Sequence, residues 1–263
     1  MPETDLALLT AAARQAGDIA MRYFRRNPAV TDKPGGAGPV TEADLAVDHM
    51  LSETLCDARQ DYGWLSEETE DTRHRITTQR QFVVDPIDGT REFIEGGKDW
   101  SHALAIVENG QVTAAAVFLP ARELMFAATL DGGATLNGAP IGASAAQLDG
   151  ATVLGAKPNF EGRFWRDGIT PPVKRVFRSS LAYRLCLVAQ GRFDAMITLR
   201  PSWEWDIAAG ALIAAEAGAR VTDQHGAILR FNNHDPKVPG VLAAGPDLHS
   251  NLAELLEPRP ANP

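Results

Sequence analysis

Apolar residues recur at helical spacing at Leu6, Leu9, Ala13, Ala16, Ala20 and Phe24, which predicts an amphipathic helix over residues 4–26. The period then stops. Asp32-Lys33-Pro34-Gly35-Gly36-Ala37-Gly38-Pro39 is rich in proline and glycine and predicts a mobile loop, with Lys33 read as a solvated surface charge in slight preference to one that the loop brings to a site. Thr41 is placed to cap a second helix that runs to about residue 58, with Leu45, Leu51 and Leu55 on its inner side. Phe82-Val83-Val84 reads as the end of a buried strand. Two further strands are predicted over residues 100–107 and 112–119, and Asn109-Gly110 between them predicts a hairpin. Residues 123–129 continue the sheet.

The second half alternates. Strands are predicted at 153–156, 176–178, 193–198, 219–222 and 241–244. A helix is predicted over 180–190, and another over 207–217 with Asp206 at its start and Gly218 at its end. The first half therefore reads as α+β and the second as α/β. A boundary near residue 146, in Gly142-Ala143-Ser144-Ala145-Ala146, divides the chain into 1–146 and 147–263.

The chain has 263 residues, 44% of them hydrophobic, enough for a sizeable core. A net charge of −9 argues against general nucleic-acid binding. No apolar stretch is long enough to span a membrane, and the acidic N-terminus does not read as a signal peptide. A cytoplasmic location is expected. Cys56 and Cys186 each fall in an apolar helical pattern and read as buried, reduced thiols.

Charge becomes informative at Asp85-Pro86-Ile87-Asp88-Gly89-Thr90. Pro86 and Gly89 favour a turn where the two carboxylates sit. Taken alone, this is also ordinary turn chemistry. Two anions held close need a cation between them. Thr90 opens a predicted short helix over residues 90–95, whose first amides suit an anion. A cation site beside a phosphate cradle is the equipment of a metal-assisted phosphatase. Ser66-Glu67-Glu68 follows a short apolar segment, so one glutamate can face inward from a strand end. Glu67, Asp85, Asp88 and Asp206 are hard oxygen donors, which suit Mg²⁺. No His-x-x-x-His or Cys-x-x-Cys spacing offers zinc a site, and His49 and His102 read as surface or core groups.

The glutamate pair, the Asp-Pro-Ile-Asp-Gly-Thr turn and Trp205-Asp206-Ile207-Ala208-Ala209-Gly210 occur in that order. With Val40-Thr41-Glu42-Ala43-Asp44 ahead of them, they resemble the inositol monophosphatase superfamily of Mg-dependent, lithium-sensitive phosphatases. The resemblance covers most of the chain. It implies a layered αβαβα sandwich and a homodimer. It implies two Mg²⁺ ions, one on Glu67, Asp85 and the Ile87 carbonyl, the other on Asp85, Asp88 and Asp206. Glu67 would help hold a third, weaker ion. Thr90 and Glu67 are then candidates for orienting the attacking water, with Asp44 accepting the Thr90 proton. The Gly89 and Thr90 amides would receive the phosphate.

The substrate expected is a small phosphate ester. Thr90-Arg91-Glu92-Phe93-Ile94 and Ser179-Ser180-Leu181 resemble the 3′(2′),5′-bisphosphate nucleotidase branch, with inositol-1-phosphate phosphatase the alternative. Ala182 stands where that branch often has a lysine. Ser180, Arg200 and Glu204 are candidate substrate contacts, and Arg200 or Arg184 could meet a second phosphate. A catalytically silent binding or regulatory relative is the alternative of another class. It would have to carry an acidic cluster with no metal, a burden on stability.

Overall fold

A computed structural model of the chain describes residues 3–36 and 38–257. Helix α1 (Asp5–Tyr23) starts at Thr4, whose hydroxyl accepts from the Ala7 amide at 3.3 Å. Leu9, Ala12, Ala13, Ala16 and Ala20 form its buried stripe. Strands β1 (Val30–Asp32) and β2 (Pro39–Thr41) then pair antiparallel, with a short 3-10 helix at Pro34–Gly36 between them. The predicted loop is thus an ordered hairpin, apart from Ala37, which lies outside the described residues. Helix α2 (Glu42–Ala58) opens on a capping box: the Thr41 hydroxyl accepts from the Ala43 and Asp44 amides, and the Asp44 carboxylate accepts from the Thr41 amide. Its inner face is Ala43, Val47, Leu51 and Leu55, a strict four-residue repeat. Leu45 falls two positions off that repeat and is 52% exposed, contrary to expectation.

A seven-stranded sheet follows in chain order. It comprises β3 (Gly63–Ser66), β4 (Arg80–Asp88), β5 (Ser101–Glu108), β6 (Gln111–Leu119), β7 (Leu124–Thr129), β8 (Ala134–Leu136) and β9 (Ala139–Pro140). Only the β3–β4 pair is parallel. Helix α3 (Thr90–Ile94) interrupts between β4 and β5. The predicted hairpin joins β5 to β6, with Asn109 and Gly110 both at positive φ, as the tight turn demands. Side chains alternate across this sheet. Leu104 and Ile106 pack with α1 and α2; Ala103, Ala105 and Val107 pack with residues of the second half.

The remaining chain supplies β10 (Thr152–Leu154), β11 (Lys174–Val176), α4 (Leu181–Ala189), β12 (Ala195–Thr198), β13 (Ser202–Trp203), α5 (Glu204–Glu216), β14 (Arg220–Thr222), β15 (Lys237–Val238), β16 (Val241–Ala244) and α6 (Pro246–Leu255). Five of these strands form a mixed sheet, ordered β11-β10-β12-β16-β14. Leu154, Met196 and Ala243 face α4 and α5, while Val153, Ile197, Leu242 and Ala244 face α6. The layers are therefore α1/α2, sheet, α4/α5, sheet, α6, which is the αβαβα sandwich. The middle helices approach closely because α5 has a glycine at the crossing. A Cβ on Gly210 would lie 2.7 Å from Leu185 Cβ.

Cys186 is buried in α4, as expected, whereas Cys56 is only partly buried. His249 on α6 is buried, with Nε2 2.9 Å from the Thr222 hydroxyl. Burial, aided by the Arg220 charge, pushes its pKa down to about 4. An unfolded histidine titrates near 6.5. The neutral form is favoured by folding, so this contribution is complete above pH ~6.5 and is lost as pH falls through about 4. His249→Gln is expected to shrink the drop in Tm between pH 6.5 and pH 4, as read by calorimetry. An undiminished drop would reject this role.

Candidate active site

In an unbroken strand, residues three apart point to opposite faces. In β4, Asp85 pairs with Ala103 and Asp88 with Ser101, so three steps on β4 match two on β5. This β-bulge at Pro86-Ile87 brings both aspartates to the face that carries Ala103 and Ser101. The strand therefore continues through Asp88 rather than ending at Val84, and the predicted turn is a bulge. Proline suits it because it has no N–H to pair. His102 braces the bulge from the other face: its buried ring Nδ1 donates to the Pro86 carbonyl. Burial pushes that imidazole down to about 4, so it is neutral. Gly89 follows at φ 102°, where a Cβ would lie 3.2 Å from the Asp99 carbonyl oxygen. The chain then enters α3 at Thr90.

Asp206 reaches the same place from α5. That helix begins at Glu204, with Trp203 as its cap residue, so Asp206 lies in the first turn rather than ahead of it. Ligand oxygens of Asp85, Asp88 and Asp206 all lie within 4.8 Å of one another. They sit in a cavity of about 410 Å³ that Glu67, Ile87, Gly89 and Thr90 also line. Burial lifts the Asp85 and Asp206 carboxyls well above the usual range, and neighbouring carboxylates add to this. Burial raises Asp88 to about 6, opposed by hydrogen bonds from the Ser180 hydroxyl at 2.6 Å and the Ala182 amide at 2.7 Å.

Glu67 and Glu68 share one cation. Lys33 Nζ lies 2.7 Å from a carboxylate oxygen of each. The β1–β2 hairpin brings it there, so Lys33 is not the solvated surface charge expected. Burial works against the ammonium, but the Glu67 and Glu68 carboxylates outweigh it and raise its pKa. Burial raises Glu68 to about 7, against the pull of Lys33. The Thr90 hydroxyl lies 3.2 Å from Asp44 Oδ1 and 3.1 Å from the Ile87 carbonyl oxygen. Asp44 is buried, and that burial raises its pKa.

The substrate-side candidates are placed differently. Ser180 caps α4 and is fully buried; besides Asp88, its hydroxyl meets Ser101 Oγ at 3.1 Å and the Tyr183 amide at 2.9 Å. Glu204 is fully buried and accepts from the Asn232 amide at 2.7 Å, the Asn233 amide at 2.8 Å and Asn233 Nδ2 at 2.7 Å. Arg200 is exposed but does not line the cavity. Arg184 is buried, with Nε donating to the Arg178 carbonyl at 2.5 Å. The lining instead includes Arg91, Phe177 and Ser179, which sequence reasoning did not single out individually. The signal for Ser179 was present in the Ser-Ser-Leu segment; Phe177 had none.

The donors converging on the cavity are all oxygens. Asp85 Oδ1 is buried with no hydrogen-bond partner among the described residues. A buried anionic acceptor left open among other carboxylates fits a hard divalent cation.

The family comparison matches residues 1–261 to the inositol monophosphatase family. The Nus factor SuhB of Salmonella typhimurium is 31% identical over 254 residues, covering 91% of this chain and 90% of that protein. The inositol-1-monophosphatase of Rhizobium meliloti is 31% identical over 236 residues, covering 84% and 86%. Among solved structures, an IMPase from Thermotoga maritima superposes with a TM-score of 0.78 at 30% identity, covering 93% of each chain. The fold, the converging carboxylates and these likenesses agree: the chain belongs to the inositol monophosphatase family of metal-dependent phosphatases.

Proposed function

We propose that the protein is a Mg²⁺-dependent phosphomonoesterase that hydrolyses adenosine 3′,5′-bisphosphate to AMP and phosphate by direct attack of water. The convergence of Asp85, Asp88 and Asp206 within 4.8 Å, beside the opening turn of α3, carries this reading. Glu67, Asp85 and the Ile87 carbonyl would hold one ion; Asp85, Asp88 and Asp206 would hold a second, and Glu67 would help with a third. When bound, such ions supply Lewis-acid stabilisation of the phosphoryl oxygens and a more acidic water.

The chain's own groups orient the reactants. Asp44 accepts the Thr90 hydroxyl proton, which turns a Thr90 lone pair toward the attacking water. Glu67 faces the same cavity and accepts from that water. The Gly89 and Thr90 amides, in a first helical turn with no intrahelical partners, receive phosphate oxygens. Ser180 and the Ala182 amide hold Asp88 in its rotamer. Thr90→Val is expected to lower kcat by about 100-fold, at the lower end for a lost proton-transfer partner, with little change in metal affinity by titration calorimetry. Wild-type turnover in the purified variant would reject the Thr90 role.

The nucleotide is preferred on Thr90-Arg91-Glu92-Phe93-Ile94 and Ser179-Ser180-Leu181. Inositol 1-phosphate is the second reading, favoured by the name of the Rhizobium relative. A silent binding protein is disfavoured because every proposed ligand is present. The same reading takes the protein as a cytoplasmic homodimer, and light scattering measures the oligomeric state.

Phosphate release is the test. Adenosine 3′,5′-bisphosphate is compared with inositol 1-phosphate, with and without Mg²⁺ and with added Li⁺. Mg²⁺-dependent, Li⁺-inhibited release that favours the bisphosphate is expected. Preference for inositol 1-phosphate would sink the substrate while keeping the chemistry, and release from neither would favour the silent relative.

A further inference from the structure

The three-carboxylate cluster accounts for only part of the 410 Å³ cavity. An in-line displacement puts the leaving oxygen opposite the attacking water. Besides the carboxylates, Thr90 and Glu67, the cavity wall includes Ser179 and Phe177, from the connection between β11 and α4, as surface a leaving group can meet. Phe177 is an unusual wall for so polar a cavity. Phe177 is 47% exposed, which leaves apolar surface that a ligand can cover. The Arg184 guanidinium lies 4.5 Å from the ring centroid. Arg184 is itself tied to the Arg178 carbonyl and, at 3.3 Å, to the Ser179 carbonyl, so the ring has a fixed backing.

Charge supplies the second observation. Glu67, Asp85, Asp88, Glu92, Glu95 and Asp206 line the cavity, and Arg91 is the one cation among the described lining residues. No carboxylate lies within 4.0 Å of the Arg91 guanidinium among the described residues. Its Nη2 would lie 3.7 Å from a Cβ on Gly38, so the guanidinium reaches the rim formed by the β1–β2 hairpin. Arg91 is exposed and is the guanidinium on this wall that a second ligand anion can meet, since Arg184 is buried, Arg200 lies off the wall and Lys33 is engaged by Glu67 and Glu68.

We propose that Phe177 and Arg91 form the leaving-group subsite, Phe177 stacking on a nucleobase and Arg91 pairing with the second phosphate of a nucleoside 3′,5′-bisphosphate. This rests on the phosphomonoesterase reading above and assigns the selectivity of that site to two side chains. Stacking of a base on an aromatic ring and a charge-assisted guanidinium–phosphate pair are each separable by substrate choice.

The test uses the full chain with Mg²⁺ and three substrates: adenosine 3′,5′-bisphosphate, adenosine 3′-phosphate and inositol 1-phosphate. Phe177→Ala is expected to lower the kcat/KM preference for the bisphosphate over inositol 1-phosphate by about 10- to 100-fold, mostly through KM. Phe177→Trp is expected to restore it. Arg91→Ala is expected to lower the preference for the bisphosphate over the 3′-phosphate by about tenfold, with partial rescue by Arg91→Lys. Unshifted preferences in variants of an enzyme that favours the bisphosphate would overturn the subsite alone. Equal losses on all three substrates would also overturn it, as the mark of a merely structural role. A wild type that hydrolyses only inositol 1-phosphate would overturn both the subsite and the nucleotide reading, while leaving the phosphatase chemistry intact.

Discussion

Asp85→Asn is expected to remove nearly all turnover while leaving the metal-free protein at least as stable as the parent. The two effects share one cause. Asp85 is buried, its Oδ1 has no partner among the described residues, and Asp88 and Asp206 carboxylates crowd it. Burial disfavours its charge, and Glu67, Asp88 and Asp206 disfavour it further. Neutralising one member of this group relieves repulsion in the absence of metal. With Mg²⁺ the sign reverses, because the position proposed to bridge two ions is lost. Outer partners of metal ligands cost about 10–100-fold when removed, and a bridging ligand should cost more. Bound metal stabilises a fold by about 2.7 kcal/mol at a hundred times its Kd. The parent should therefore gain Tm on Mg²⁺ addition, and the variant should gain little. Calorimetric Mg²⁺ titration and phosphate release check both limbs. Parental Mg²⁺ affinity in the variant would refute Asp85 as a ligand.

That cluster was partly legible in the sequence. Asp-Pro-x-Asp-Gly-Thr announces a constrained backbone with two carboxylates, because proline and glycine limit their own conformations. It does not announce a bulge. Whether Asp85 and Asp88 share a face depends on how β4 registers against β5, and that pairing involves residues far along the chain. The same limit explains Ser180 and Glu204. Each looked like a polar group near a site, and each is close to one. Their partners, Asp88 at 92 residues and Asn232 at 28, are set by how the layers stack. Lys33 was misread for a related reason. Its hairpin strands are three residues long and β1 is exposed, so no hydrophobic period marked them. Most helices and strands of the layers were legible in helical and alternating apolar patterns, whereas their αβαβα stacking was expected from the family resemblance alone.

A second large effect is expected far from the carboxylates. Arg75 is fully buried and joins three segments. Its Nε and Nη2 donate to Asp71 at 3.1 and 2.7 Å, and its Nη1 donates to Asn232 Oδ1 at 2.7 Å and to the Asn233 carbonyl at 3.0 Å. The backbone amides of the same two asparagines donate to Glu204. Burial acts to raise Asp71, but Arg75 hydrogen bonds outweigh it and hold Asp71 below the usual range. Burial raises Glu204, and the asparagine hydrogen bonds and the Arg75 charge oppose it. Arg75→Met would leave two acidic groups without their cation and the Asn233 carbonyl without its donor. Breaking a buried ion pair from one side costs about 3–5 kcal/mol, and the partial exposure of Asp71 puts this loss at the lower end, about 3 kcal/mol. For a chain of this length that is a Tm loss of roughly 10 °C. Glu204→Gln alone should cost less, and the double variant should lose less than the sum, because both act through Asn232 and Asn233. Glu204 is two residues before Asp206 in the first turn of α5, so the folded fraction of Arg75→Met should also bind Mg²⁺ more weakly. Denaturant titration of the four proteins, with Mg²⁺ calorimetry on the folded ones, decides this. Strict additivity would break the link between Arg75 and Glu204, and unchanged Mg²⁺ affinity would confine the network to stability.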